Sequence, residues 1–150
     1  MSKAGSGMDS CQAGEWVQSE VETCLLRNRQ VVAPVRNASA PYDLIWDRGV
    51  DRLRIQIKKG RVRDGVICFT VNPRGRNAKG IKPKSYVGKI DAFIVYVPEI
   101  DRFYFVPIED APRRATHMRL RLAPRRTGGG KKSSWATGYE IRFELEKKAA

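Results

Sequence analysis

Histidine is almost missing from this chain of 150 residues; His117 stands alone. Cysteine is scarce too, with Cys11, Cys24 and Cys68 odd in number and without metal-ligand spacing. These shortages exclude a zinc centre of Cys and His ligands and a disulfide framework. The thiols read as structural groups in a reducing compartment. Long apolar runs are lacking as well. "AFIVYV", the longest in the core, is strand-sized, well short of the roughly 18 residues a spanning helix needs. The opening "MSKAGSGMDS" lacks the apolar segment of a secretory signal. Acid is the last shortage: 16 Asp plus Glu against 29 Lys plus Arg, a formal net charge of +13. Such a surface favours a polyanion, with nucleic acid ahead of an acidic membrane. A cytoplasmic, nucleoid-associated location is the consistent expectation.

What is present is one domain's worth of chain with an ordinary apolar content of 41%. Residues 1–12 read as a flexible N-terminus. From Glu15 to Asn28 the pattern is helical, with Val17, Val21, Cys24 and Asn28 in line and Leu25 beside them. Gly14 precedes this segment, and Glu15, Glu20 and Glu22 suit the first turns of a helix. "VVAPV" (31–35) predicts a strand, which Pro34 assigns to an edge or a bend. Residues 43–59 predict a hairpin: Leu53, Ile55 and Ile57 alternate with polar residues, and "DRGVD" supplies the reversal. "GVICFTV" (65–71) predicts a fourth strand, and "DAFIVYV" with "RFYFVPI" a second hairpin. "HMRLRL" predicts a last, exposed strand. Between 72 and 90 lies a basic, Gly- and Pro-containing loop. Residues 123–150 read as a basic, Gly-rich connector and C-terminal extension, with a strand through Tyr139, Ile141, Phe143 and Leu145. One helix packed on a mixed sheet, an α+β domain over 13–122, is the outcome.

The polar residues of the first hairpin form a chemically coherent set: Asp43, then Gln56 thirteen residues on, then Lys58. Phosphodiester hydrolysis needs a divalent cation to polarise a phosphate oxygen and to acidify water. Mg²⁺ accepts oxygen ligands, with one or two protein carboxylates sufficing. Asp43 offers a charged oxygen and Gln56 a neutral one. Period 2 puts Gln56 and Lys58 on one face, where a Lys can orient water or offset charge. By spacing alone, the same alternation also describes a half-solvated strand.

The longer text around these residues reads "VVAPVRNASAPYDLIWDRGVDRLRIQIKKGRVRDGVICFTVN", followed by "KSYVGKIDAFIVYVPEIDRFYFVPIED". From Gly14 to Ile100 the chain resembles the PD-(D/E)xK nuclease superfamily, and within it the group I intron-encoded homing endonucleases with a Gln variant of the motif. The resemblance implies a restriction-endonuclease-like core with β-hairpin additions, and a Mg²⁺-dependent endonuclease in which Mn²⁺ substitutes. It makes Asp43 and Gln56 metal ligands and Lys58 the catalytic lysine. The family's helix usually adds a Glu, whose position is filled here by Gln18. Glu15, Gln18 and Glu22 share one helical ridge, with Glu20 on the opposite flank. An acid among these either stands in for the missing Glu or belongs to a solvated helix face. Asp91 reads as structural, satisfying loop amides, with a place behind the metal ligands as the alternative.

Two acid-free clusters account for the excess charge: Arg74, Arg76, Lys79, Lys82, Lys84 and Lys89, then Arg113, Arg114, Arg119, Arg121, Arg125, Arg126, Lys131 and Lys132. Such clusters neutralise phosphates. In "HMRLRL", Arg119 and Arg121 share a side, as in a β-ribbon that enters a major groove. The expected partner is double-stranded DNA, with no membrane involved. Cutting both strands calls for two sites, hence a homodimer, and by resemblance a homotetramer is possible. Rival readings are a Holliday-junction-resolvase-like nuclease and a basic nucleic-acid-binding module that has lost activity.

Overall fold

The computed structural model describes residues 8–72, 85–123 and 134–143. Helix α1 spans Ser10–Arg27 and begins earlier than its apolar periodicity suggests. Its start is set by a reciprocal cap. The Asp9 carboxylate accepts from Gln12 N at 2.8 Å, and Gln12 Oε1 accepts from Asp9 N at 3.3 Å. Residues 10–12, expected in the flexible lead-in, therefore form the first helical turn, which carries no acid. Gly14 lies inside the helix. The buried stripe is Val17, Val21 and Leu25, each contributing about 1.5–3 kcal/mol on full burial. Cys24 and Asn28 flank it half-buried.

Nine strands follow among the described residues: β1 (Val31–Pro34), β2 (Leu44–Asp47), β3 (Arg52–Lys59), β4 (Arg61–Arg63), β5 (Val66–Thr70), β6 (Ala92–Val97), β7 (Arg102–Pro107), β8 (His117–Arg121) and β9 (Ser134–Trp135). They build two sheets, ordered β1-β2-β3-β6-β7 and β4-β5-β8-β9. The first is mixed, with β3 and β6 parallel and its other pairs antiparallel. Pro34 lies in the edge strand, where a missing N–H costs no ladder bond.

The second sheet replaces the single sheet expected from sequence. Strand β4 was not foreseen, and β5 pairs with β4 and β8 instead of joining the first sheet. The chain passes between sheets at Gly60, whose amide still bonds Tyr96 O at 2.8 Å. A Cβ at Gly60 would lie 2.8 Å from Val97 Cγ2 and 3.0 Å from Val95 Cγ1, so a side chain has no room at this crossing.

Helix α1 covers one face of the first sheet, packing on Leu44, Trp46, Ile55, Ile57, Ile94 and Tyr96. The second sheet covers the other face, where Ile67, Phe69, Met118 and Leu120 meet Phe93, Val95 and Val97. Strand β6 is the shared middle, and all six of its residues are buried. Strand β8, expected to be exposed, buries Met118 and Leu120. Past residue 133 the described residues form β9, a 3₁₀ turn (Ala136–Gly138) and a bridge from Glu140 to Tyr104, and the end of the strand expected through Leu145 lies outside them. Ala136 is buried and Phe143 sits edge-on to Trp46, so this part of the 123–150 extension packs into the body of the fold. No helix among the described residues is long and apolar enough to cross a membrane.

Candidate active site

Asp43 stands immediately before β2. Its N–H donates to Ile55 O at 2.8 Å, and its Oδ2 accepts from Ile57 N at 2.8 Å. The β2–β3 register ends at Leu44 opposite Ile55, and beyond it these two bonds hold Asp43 to β3 on either side of Gln56. Because Ile55 and Ile57 enter the helix-side core, Gln56 and Lys58 point to the other face of β3. The turn that permits this register has Gly49 at φ +82°, with Gly49 N–H donating to Asp47 Oδ1 at 2.9 Å.

An open cleft of about 570 Å³ lies between the N-terminal half of α1 and this end of the hairpin. Glu15, Gln18, Asp43, Gln56, Lys59 and Arg61 are among its lining residues. Burial pushes the Asp43 carboxyl above the ordinary carboxylate range, and the Glu22 charge adds to this. The Ile57 amide and the Lys58 charge pull the other way without cancelling it. Glu22 is tied to the cleft by Gln18, whose Nε2 donates to Glu22 Oε1 at 3.1 Å. Glu15, Gln18, Asp43 and Gln56 therefore border one cleft, with Glu22 and Lys58 close enough to act on Asp43. Glu20 does not line the cleft; its charge acts on the Tyr96 hydroxyl.

Lys58 is held by a residue whose contact with it spacing did not signal. Its Nζ donates to Tyr86 Oη at 3.0 Å and lies 4.9 Å from the Tyr86 ring centroid. The Tyr86 ring packs edge-on to Phe93 at 5.6 Å. Asp91 is structural: its carboxylate accepts from Arg54 N at 2.7 Å, and from Arg54 Nε and Nη2 at 3.1 Å each. That guanidinium holds the Asp91 carboxyl below the ordinary range.

Among the described residues, no three His, Cys, Asp or Glu side chains converge as a metal cage. One carboxylate and one neutral amide oxygen suit a hard cation that keeps most of its water, and do not suit a zinc-type centre. The Oδ1 atom of Asp43 has no hydrogen-bond partner among the described residues, since only Oδ2 is taken by Ile57.

Of the basic residues expected to meet nucleic acid, Arg74, Arg76, Lys79, Lys82, Lys84, Arg125 and Arg126 lie outside the described residues. Arg113 and Arg114 are exposed ahead of β8, and Arg119 and Arg121 occupy its outward positions. Arg61 and Arg63, on the strand that sequence reading missed, are exposed as well.

The chain is similar in fold to a solved structure described as a bacterial homing endonuclease, I-Ssp6803I. The two share 18% identity at a TM-score of 0.63, over 89% of this chain and 88% of that one. No curated protein matches the chain. The family model for PD-(D/E)XK endonucleases matches residues 8–142, which takes in the capped helix, both sheets and every cleft residue. The chain belongs to the PD-(D/E)XK endonuclease family.

Proposed function

We propose that the protein is a Mg²⁺-dependent endonuclease that cuts phosphodiester bonds in double-stranded DNA, in the manner of a site-specific homing enzyme, with Mn²⁺ able to substitute. The observation that carries this reading is the clamp of the Asp43 carboxylate onto the Ile57 amide, between Gln56 and Lys58, at an open cleft that Asp43 and Gln56 line. Asp43 and Gln56 hold the cation by oxygen, with Glu15, Gln18 or Glu22 of α1 contributing through water or directly. A bound divalent ion would polarise the phosphate and lower the pKa of water.

The chain's own groups do the rest. The Ile57 amide fixes one carboxylate oxygen of Asp43, so the other has a restricted direction. Tyr86 holds the Lys58 ammonium by hydrogen bond and by ring face, which pre-orients a cation beside the scissile phosphate. Lys58 positions the attacking water and offsets negative charge as the bond breaks. Cleavage of both strands calls for two such clefts, supplied by a dimer or tetramer.

A second reading is favoured by one observation, the lack of a three-acid cluster among the described residues. It makes the protein a DNA-binding module whose site has decayed. Supercoiled plasmid at low salt separates the two. Nicking with Mg²⁺ or Mn²⁺, absent in EDTA and absent in Asp43→Ala, supports the nuclease. Intact plasmid in every lane, with DNA retained in a gel shift, would favour the module, and nicking gained by Gln18→Glu would mark its site as decayed.

A further inference from the structure

Cross-strand register gathers a basic face on the second sheet. Arg61 pairs with Cys68 and Cys68 with Arg119, while Arg63 lies across Val66 from Arg121, which in turn pairs with Trp135. Residues directly opposite share a face. The alternate positions, Ile67, Phe69, Met118 and Leu120, fill the core, so this set points outward. Arg61, Arg63 and Arg119 are exposed, and Trp135 retains 51% of its surface. No strand position on this face is acidic; the nearby acids are at the rim, Asp64 in the β4–β5 turn and Glu99 at the β4 edge.

The first sheet treats its arginines differently. Arg52 pairs with Asp47, Arg54 with Asp91 and Arg102 with Glu140. No ion pair among the described residues involves Arg61, Arg63 or Arg119. Three guanidinium groups on one sheet face, without an ion pair among the described residues, carry a strong positive potential.

We propose that the outer face of the β4-β5-β8-β9 sheet is the surface that grips the sugar-phosphate backbone of duplex DNA, leading the duplex into the cleft through Arg61. This rests on the nuclease reading and deepens it. Arg61 belongs to both places, since it lines the cleft with Asp43 and Gln56. The width of the sheet decides how the duplex is met. Four strands about 4.8 Å apart span roughly 14 Å between the outer backbones alone. A major groove about 12 Å wide admits a two-stranded ribbon and not this sheet. The face therefore lies across phosphates, and the β8 ribbon expected to enter a groove is the interior of a wider platform. Its contribution to affinity is electrostatic and insensitive to sequence.

The test measures binding without chemistry. Two unrelated fluorescent duplexes are titrated with full-length protein in EDTA across a salt series. Arg63→Ala/Arg119→Ala is compared with Arg27→Ala/Arg29→Ala, which removes equal charge from the far end of α1. Arg61 stays in place because it lines the cleft. The first double variant is expected to flatten the log K against log salt slope by about 1.8, at about 0.9 per lost phosphate contact, equally on both duplexes. The α1 variant is expected to keep the wild-type slope. DNA is also expected to quench the fluorescence of Trp135, read as the signal lost in Trp135→Phe. An unchanged slope in Arg63→Ala/Arg119→Ala, an equal loss in the α1 variant, or a loss confined to one duplex would each overturn the proposal. If wild-type protein binds no DNA at all, the nuclease reading itself fails; if only the variants disappoint, the fault lies with the face.

Discussion

Two aspartates flank strand β3 in nearly the same way, and their surroundings push their pKa in opposite directions. Asp43 precedes β2 and Asp91 precedes β6, the two strands that border β3. Each donates its amide to a β3 carbonyl, Asp43 to Ile55 at 2.8 Å and Asp91 to Arg54 at 2.9 Å. Each carboxylate accepts a β3 amide, from Ile57 at 2.8 Å and from Arg54 at 2.7 Å. What differs is the next partner. Asp91 has a guanidinium in two-point contact, and its pKa falls. Asp43 has burial, a neighbouring Glu22 and only a charge interaction with Lys58, and its pKa rises. A carboxylate whose charge is already matched is a rivet. One that is desolvated and left a spare oxygen at a cleft is poised to accept a cation.

The largest effect that sharpens this contrast is on the chemistry. Lys58→Ala is expected to lower plasmid nicking by about 10²–10⁴-fold, the range for loss of a group that acts on the reacting atoms. Asp91→Ala is expected to leave the nicking rate per folded molecule within a few-fold of wild type. Equal losses in the two variants would collapse the distinction. Next in size is stability. Asp91→Ala frees a β3 amide and strips Arg54 of its partner, at a cost of about 1–3 kcal/mol. Urea melts of Asp91→Ala and Lys58→Ala measure it, with the deficit expected only in the former.

The first hairpin was legible because its side chains alternate along the chain, and Gln56 and Lys58 sit where a two-residue period puts them. The edge position of β1 was legible from Pro34. The second sheet was not, because β4 has only three residues and β5 finds its other partner, β8, far along the chain. The steric demand at Gly60 comes from Val95 and Val97, more than thirty residues on, so no local pattern announces the crossing. The helix start was misread because the apolar stripe begins at Val17, whereas the cap that sets the start is polar: Asp9 and Gln12. Tyr86 lies 28 residues from Lys58, and only folding brings its hydroxyl to the ammonium. Asp91 was read as structural, and its clamp on Arg54 supplies the reason.

A smaller effect tests how the cleft is tuned. Tyr86→Phe keeps the ring face under Lys58 and removes only the hydroxyl. One hydrogen bond of about 0.5–1.5 kcal/mol corresponds to a drop in nicking of about 2–10-fold. A merely structural Tyr86 would show instead a fall in melting temperature with no change in rate per folded molecule. Tyr86→Ala, which loses the ring as well, is expected to fall further.

The smallest effect reverses sign between the two aspartates. Asp43→Asn keeps an acceptor for the Ile57 amide and removes the charge. A raised folded pKa means that ionised Asp43 costs stability. The cost is absent below the unfolded carboxylate pKa, develops as pH rises through the folded value, and is complete near neutrality. The variant is therefore expected to melt slightly higher than wild type near pH 7 while failing to nick, and the gain is expected to shrink on acidification. Asp91→Asn behaves oppositely. Its lowered pKa contributes stability that is complete above the unfolded pKa and is lost only as pH falls through the lower folded value. The Asp91→Asn deficit is accordingly expected to persist at about pH 4, where the Asp43→Asn gain has begun to fade. Melting curves of both variants from about pH 7 to pH 4 decide the matter. If Asp43→Asn is destabilised near neutrality, its carboxylate is a rivet like Asp91, and burial does not poise it for a cation.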